Sequence, residues 1–389
     1  MPSDEPSRLT RGLRAGFDSD PGRRAVVPPL YLSTNYSFSD LDTAPEFDYS
    51  RSRNPTRSSL DEALTTLHAG AGAVTTATGM AALSLTLSAV VPVGGRVIAP
   101  ADCYGGTWRL LQRLHEQARL VVDFVDTSLP SALAEALREP AALVLVESPS
   151  NPLLRVTDIA AAATAARDAG ALLGVDNTFC SPLIQRPLDL GADIAIESTT
   201  KLIAGHSDAL GGAVIAASPE IADSLAQWCN TLGVPSSPFD AYLTLRGLRT
   251  LDARLRVQQE STLALLDLVV SHPAVRAAHH ASLPDHPGHD IAAAQQSGPS
   301  PIFSFELSGG ILAVEALLDG LTCFTLAESL GGCESLISHP GRMTHAAMSQ
   351  AAQQRAGITD GLLRVSVGLE QPQDLCTDLR DGLDRAAAA

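Results

Sequence analysis

From residue 96 to residue 216, short apolar runs alternate with segments of helical spacing, and most of the runs end in polar residues. The runs at 96–100, 120–125, 143–147, 172–176, 192–196 and 212–216 have the length of strands. Apolar spacing at 108–117, 131–137 and 159–168 predicts helices between them. Strands that read as continuous apolar runs are covered on both faces, and strands joined by helices pair in parallel. The pattern therefore predicts an α/β fold whose large domain is a mostly parallel sheet between two layers of helix. Polar clusters at 102–104, 147–151, 176–178 and 198–201 then share the carboxyl edge of that sheet. Open α/β sheets bind their ligands at this edge.

The last cluster holds Lys201, the only lysine among 27 basic residues. Arginine serves everywhere else, so the one lysine suggests a task that a permanently protonated guanidinium cannot perform. A desolvated lysine can lose its proton and attack a carbonyl carbon to form a Schiff base. Thr199 and Thr200 precede it, at the end of an apolar strand.

Upstream, a helix is expected near 60–69. Residues 70–82 then read as a strand, a turn of small residues and the start of a helix that continues through 83–91 to Pro92. Thr78 is a plausible N-cap. A helix N-terminus presents free N–H groups to an anion such as phosphate. The dinucleotide fingerprint is not met, because Thr75 stands at the third glycine position after Gly70 and Gly72. No phosphate-loop lysine follows. Asp176, at a strand end, reads equally as a turn or cap residue, and Tyr104 before two glycines reads as a turn tyrosine.

A net charge of −16 argues against nucleic acid or an anionic membrane as partner. No signal pattern or spanning apolar run is present. The six cysteines are scattered without a C-x-x-C, as in reduced cytoplasmic proteins. Residues 1–59 read as an arm, 60–245 as the large domain and 246–389 as a smaller α+β domain. By spacing alone, 48–57 is a solvated basic loop. Residues 230–245 read as a Pro- and Ser-rich connection and 245–270 as one long helix. Strands are expected at 301–307 and 362–367. His279, His280, His286 and His289 lie among Pro and Gly in an expected loop without zinc spacing, so no metal is expected.

Taken together, the motifs resemble one family. They include Tyr49-Ser50-Arg51, Thr78-Gly79-Met80, Asp102-Cys103-Tyr104-Gly105-Gly106, Glu147-Ser148-Pro149-Ser150-Asn151-Pro152, Val175-Asp176-Asn177-Thr178 and Ser198-Thr199-Thr200-Lys201. In the second half, Glu328-Ser329-Leu330-Gly331-Gly332, Ser338-His339-Pro340 and Leu363-Arg364-Val365-Ser366 continue the match in order. The chain resembles the pyridoxal-phosphate (PLP) enzymes of Cys/Met metabolism, the transsulfuration family. Within that family, runs 102–106, 150–156 and 334–339 are most similar to the bacterial γ-synthases.

The resemblance implies the type I fold of PLP enzymes, which is aspartate-aminotransferase-like, and a cytoplasmic homotetramer built from dimers with shared active sites. It implies that Lys201 carries PLP as a Schiff base and moves protons. Asp176 would pair with the pyridine nitrogen, and Tyr104 would stack on the ring and take a proton. Gly79, Met80, Ser198 and Thr200 would hold the phosphate, with Tyr49 and Arg51 reaching it from the neighbouring subunit. Arg364 would hold the substrate α-carboxylate with Asn151 and Ser329. Asp48, Glu328, Arg53 and Arg109 would lie nearer the entrance. The implied reaction is γ-replacement on an O-acyl-L-homoserine by L-cysteine to give cystathionine, in methionine biosynthesis. A γ-lyase of cystathionine or methionine, an O-acylhomoserine sulfhydrylase and a γ-substituting enzyme of specialised metabolism remain open on the same scaffold. Ser52, Arg53, Ala101, Glu197, Leu202 and Ala204 depart from the family pattern.

Overall fold

The computed structural model describes residues 5–389. One sheet holds β1 (Gly72–Thr76), β2 (Arg96–Pro100), β3 (Val121–Val125), β4 (Leu143–Glu147), β5 (Leu172–Asp176), β6 (Ile194–Glu197) and β7 (Gly212–Ala216). Their order across the sheet is β1-β7-β6-β5-β4-β2-β3. Strands β3, β2, β4, β5 and β6 are parallel, as the pattern predicts. β7 is antiparallel to both β6 and β1. The reason is local. No crossover helix separates β6 from β7, so the chain turns back beside the strand it has just left. Lys201 rides on that helix-free connection.

Alternate residues of each strand feed opposite faces of the sheet. On one face Leu143, Leu145, Ile194, Ile196 and Val214 pack against Leu83, Leu85 and Leu87 of the helix Gly79–Val90. On the other, Val144, Val146, Leu173 and Val175 meet the helix Ile159–Asp168, and Ala195, Ala213 and Ile215 meet Leu60, Ala63 and Leu64 of the helix Pro55–His68. A fully buried leucine contributes about 2 kcal/mol through its removal from water. The two cores hold the sheet rigid beneath its carboxyl edge.

A second sheet holds β8 (Val275–His279), β9 (Ile302–Leu307), β10 (Thr325–Leu326), β11 (Leu336–Ser338) and β12 (Leu362–Ser366), in the order β10-β11-β12-β9-β8. Phe303, Phe305, Leu363 and Val365 pack against Leu265, Leu266 and Val269 of the helix Leu251–Ser271 and against Leu375, Leu379 and Leu383 of the helix Pro372–Ala388.

Three sequence expectations are corrected. Residues 230–245 are not a plain connection, because the helices Pro219–Leu232 and Pro238–Leu248 enter it from both sides. Their prolines occupy the first helical position, where the missing N–H costs nothing, and Ser218 and Ser237 cap them by accepting from Ile221 N and Asp240 N. The long helix is broken between Leu248 and Leu251. Arg254 uses the break to donate to the carbonyls of Leu202, Ile203 and Gly247, which ties this region to the loop after Lys201. The histidines do not share one loop: His279 ends β8 and His289 opens the helix His289–Gln295.

Within the expected arm, the helix Arg8–Leu13 packs onto the helix Pro55–His68, with Leu9 and Leu13 against that core. Among the described residues no helix is long and apolar enough to cross a membrane, and no group of His, Cys, Asp and Glu could hold a metal ion. All six cysteines are unpaired.

Candidate active site

The carboxyl ends of β4, β5 and β6 open into a cleft of about 210 Å³. The start of the helix Gly79–Val90 lines the cleft, as do Glu328 and Ser329 of a loop in the second half and Arg364 of its strand Leu362–Ser366.

The helix start is a phosphate-sized anion seat. Thr78 caps it by accepting from Ala81 N at 3.0 Å, so the N–H groups of the first turn remain directed outward. Gly79 packs so closely on Ser198 that an added Cβ would sit 2.8 Å from the serine Cβ. Only glycine permits that approach, which brings the helix start against the loop of Ser198, Thr200 and Lys201. Thr178 Oγ1 accepts from Ser198 N, and the Thr200 hydroxyl exchanges two hydrogen bonds with the Gly211 backbone.

Lys201 Nζ donates to Ser329 Oγ at 2.7 Å. Burial, reinforced by the nearby Arg364 charge and opposed by Glu328, pulls its ammonium from 10.5 down to about 8. The neutral amine is then on the order of 10²-fold more abundant at pH 7 than for a free lysine. Ser329 has a left-handed backbone (φ 88°), an uncommon conformation for a non-glycine residue. That turn lets its hydroxyl meet Lys201 while its carbonyl accepts from Arg364 Nη2 at 2.8 Å.

Asp176 and Glu147 are register partners on adjacent strands. Burial pushes Asp176 up to about 6, against hydrogen bonds from Thr178; the Glu197 charge raises it further. Burial, then the Asp176 charge, pushes Glu147 well above the usual carboxylate range. Glu147 accepts from Tyr104 N at 2.9 Å and from Asn151 N at 2.7 Å, so one carboxylate ties together two loops of the cleft. Asp176 faces the cleft with Thr178 N as its donor, at 3.1 Å, and lacks a cation.

Arg364 is buried and held at two of its nitrogens, by Asn151 Oδ1 at 3.0 Å and by Ser329 O. Its Nε has no partner. A buried guanidinium with a free N–H is ready for a carboxylate. His345 Nε2 and the Asn151 carbonyl, 3.0 Å apart, fasten the same loop from behind.

A model of the family described as "Cys/Met metabolism PLP-dependent enzyme" matches residues 9–384. The chain belongs to that family. Cystathionine gamma-synthase of Escherichia coli (strain K12) is 48% identical over 98% of both chains. A crystal structure of cystathionine gamma synthase from Xanthomonas oryzae pv. oryzae, in complex with aminoacrylate and cysteine, superposes with a TM-score of 0.97 at 52% identity, covering 99% of both chains. Cystathionine gamma-lyase of Bacillus subtilis (strain 168) is 38% identical over 97% of this chain and 99% of its own.

This PLP-dependent enzyme thus has the type I fold of its family, and its cleft fits the cofactor. The helix start can seat a phosphate, the uncompensated Asp176 suits a protonated ring nitrogen, and the half-buried Lys201 amine suits an aldehyde. Of the residues singled out in the sequence, Gly79, Met80, Tyr104, Asn151, Asp176, Ser198, Thr200, Lys201, Glu328, Ser329 and Arg364 line the cleft. Asp48, Tyr49, Arg51, Arg53 and Arg109 do not; all five are exposed. Arg51 donates to Asn230 and stacks over the Tyr49 ring, and Arg53 pairs with Glu46 at 3.9 Å. Sequence reasoning placed Glu147 and Thr178 in the strand-end clusters without a role, and missed Phe179 and Thr344 as lining residues. Glu147 had a signal, since a carboxylate ending an all-apolar strand is costly to bury without a purpose.

Proposed function

We propose that the protein replaces the acyloxy group of an O-acyl-L-homoserine with the thiol of L-cysteine, giving cystathionine and the free acid. The observation that carries this reading is the cleft itself, which the half-buried Lys201, the uncompensated Asp176 and Arg364 with its unfilled Nε line together. The identity to synthases supports the choice of reaction, as does a second structure of the Xanthomonas enzyme in complex with cystathionine.

In this reading Lys201 would hold PLP covalently, Asp176 would pair with its ring nitrogen and Tyr104 would cover the ring. The N–H groups of Gly79 and Met80, with the Ser198 and Thr200 hydroxyls, hold the phosphate. When bound, PLP supplies an electron sink that makes protons on Cα and then Cβ of an attached amino acid removable. Arg364, with Asn151 and Ser329, holds the α-carboxylate and fixes which Cα–H faces Lys201. Tyr104 accepts a proton from the incoming ammonium. The Lys201 amine, which holds one proton at a time, would move the Cα proton to the carbon that joins the substrate nitrogen to the cofactor, and only then take a Cβ proton, after which the acyloxy group would leave Cγ with its bonding electrons. The cysteine thiolate would form the new bond at Cγ, and Lys201 would return the Cβ proton and then carry the first proton back to Cα.

Tyr49 and Arg51, exposed and outside the cleft of their own chain, complete the phosphate seat of a neighbouring subunit, within a cytoplasmic homotetramer of dimers. Asp48, Arg53, Arg109 and Glu328 flank the acyl group at the entrance. Residues 1–59 serve as the arm, 60–245 as the PLP domain and 246–389 as the smaller domain.

The test is incubation with O-succinyl- or O-acetyl-L-homoserine, with and without cysteine. Cystathionine formed only with cysteine is expected. 2-Oxobutanoate as the sole product in both cases would replace this reading with γ-elimination, the activity named in the Bacillus relative.

A further inference from the structure

Behind the cleft lies a polar chain that the proposed chemistry does not use. His68 ends the helix Pro55–His68, and Glu197 ends β6; neither side chain is more than 1% exposed. His68 Nε2 is 3.3 Å from Glu197 Oε1, and the imidazole has no hydrogen-bond partner at either nitrogen. Glu197 Oε1 also accepts from Asn177 Nδ2 at 2.9 Å. Asn177 Oδ1 accepts from Gln185 Nε2, and Gln185 Oε1 accepts from Gln295 and Gln296.

Strand geometry places this chain behind Asp176. Asp176 pairs in register with Ile196, so Asp176 and Glu197 point to opposite faces of the sheet. Asn177 bridges them: its backbone follows Asp176 and donates to Ile196 O, while its side chain reaches Glu197. A bare carboxylate at Glu197 would act through the thin sheet against an anion at Asp176, and its charge does raise Asp176. Among the described residues His68 is the basic side chain paired with Glu197, and a cation there would cancel that field. A buried carboxylate without such a partner is costly, so the pair is built as a unit.

We propose that the buried His68–Glu197 pair, carried through Asn177, is a positioning device for Asp176: it neutralises the charge behind Asp176 and holds its carboxylate anionic toward a cationic ring nitrogen in the cleft. This rests on the reading of Asp176 as the partner of the PLP ring nitrogen. His68 and Glu197 touch neither substrate nor cofactor; they act through Asp176.

The experiment measures release of bound cofactor from His68→Gln, Glu197→Gln and the double variant, each also in an Asp176→Asn background. Two probes are used: PLP, and its carbocyclic analogue in which the ring nitrogen is replaced by C–H. His68→Gln is expected to release PLP about tenfold faster than wild type, the size of a typical coupling between contacting residues. Glu197→Gln, which keeps an acceptor for Asn177, is expected to hold PLP at least as tightly as wild type. The double variant should recover wild-type retention. All three should release the carbocyclic analogue at the wild-type rate, and the differences should vanish in the Asp176→Asn background. A merely structural pair would loosen both probes alike, and that result overturns the inference. So does weakened PLP retention in Glu197→Gln, which decides the matter even if His68→Gln does not fold. Wild-type protein that takes up no PLP overturns the underlying reading as well, whereas uptake with no response to His68→Gln overturns the inference alone.

Discussion

The cleft and the segment 48–53 contain the same kinds of side chain, arginine, tyrosine and carboxylate, and hold them in opposite ways. Arg364 is buried, fastened at two nitrogens and free at the third. Arg51 is exposed, rests on the Tyr49 ring at 5.3 Å and bonds to Asn230. Burial in the cleft pulls Lys201 down to about 8 and pushes Asp176 up to about 6. Groups desolvated before any ligand arrives need little reorganisation when it does, which is the physical content of a preorganised site. The exposed arginine has the right chemistry without that arrangement, and a second protein surface would be needed to supply it.

The largest expected break of this comparison is Lys201→Ala. Removing the amine should lower turnover by about 10⁴-fold, since nucleophile and proton carrier are lost together. It should also abolish covalent PLP, measured as absorbance that borohydride fixes to the protein. Arg364→Lys keeps the charge but not the forked geometry, so KM for the acylated amino acid should rise about 100-fold with a smaller change in kcat.

Asp176→Asn sharpens the electrostatic half of the contrast in the apoprotein. The folded-state value of Asp176 lies above its usual 3.8, so the stability this group contributes is fully present below about pH 4 and is lost as pH rises through about 6. Apo Asp176→Asn should therefore gain up to about 3 kcal/mol over the apo wild type above pH 6, and nothing at pH 4, in chemical denaturation. PLP should erase that gain by giving Asp176 a cation.

Arg51→Ala should have the smallest effect, weakening PLP affinity about tenfold. Its decisive form is a mixture at PLP concentrations too low to load the Arg51→Ala protein alone: its subunits exchanged with subunits carrying Lys201→Ala should regain about a quarter of wild-type activity if sites are shared across a dimer. No recovery would return Arg51 to the status of a solvated surface residue.

The strands and their polar ends were legible because strand length, apolar runs and strand-end residues are local properties of the chain. The predicted β2, β4, β5 and β7 have the observed bounds, and Thr78 is the observed cap. Lys201 stood out by composition alone, and Asp176 by its place at a strand end. Residues 230–245 were misread as a connection because Pro after Ser signals a turn and a helix start equally well; the packing around the segment decides between them. Arg364 carried no local signal, and its role in the cleft came from the family motif.

What the sequence by itself determined is the layered α/β plan, the anion-ready helix start and the lone lysine at the sheet edge, since each depends on residues close in the chain. Tertiary structure decided which polar groups meet. It brought Ser329 to Lys201, tied Tyr104 and Asn151 through Glu147, left Nε of Arg364 unfilled, and set His68 and Glu197 behind Asp176. It also kept residues 48–53 out of the cleft of their own chain. Ser329 and Arg364 arrive by docking of the second half on the first, the other contacts form between segments packed on the first sheet, and burial, which moves the charges of Lys201 and Asp176, exists only after that packing.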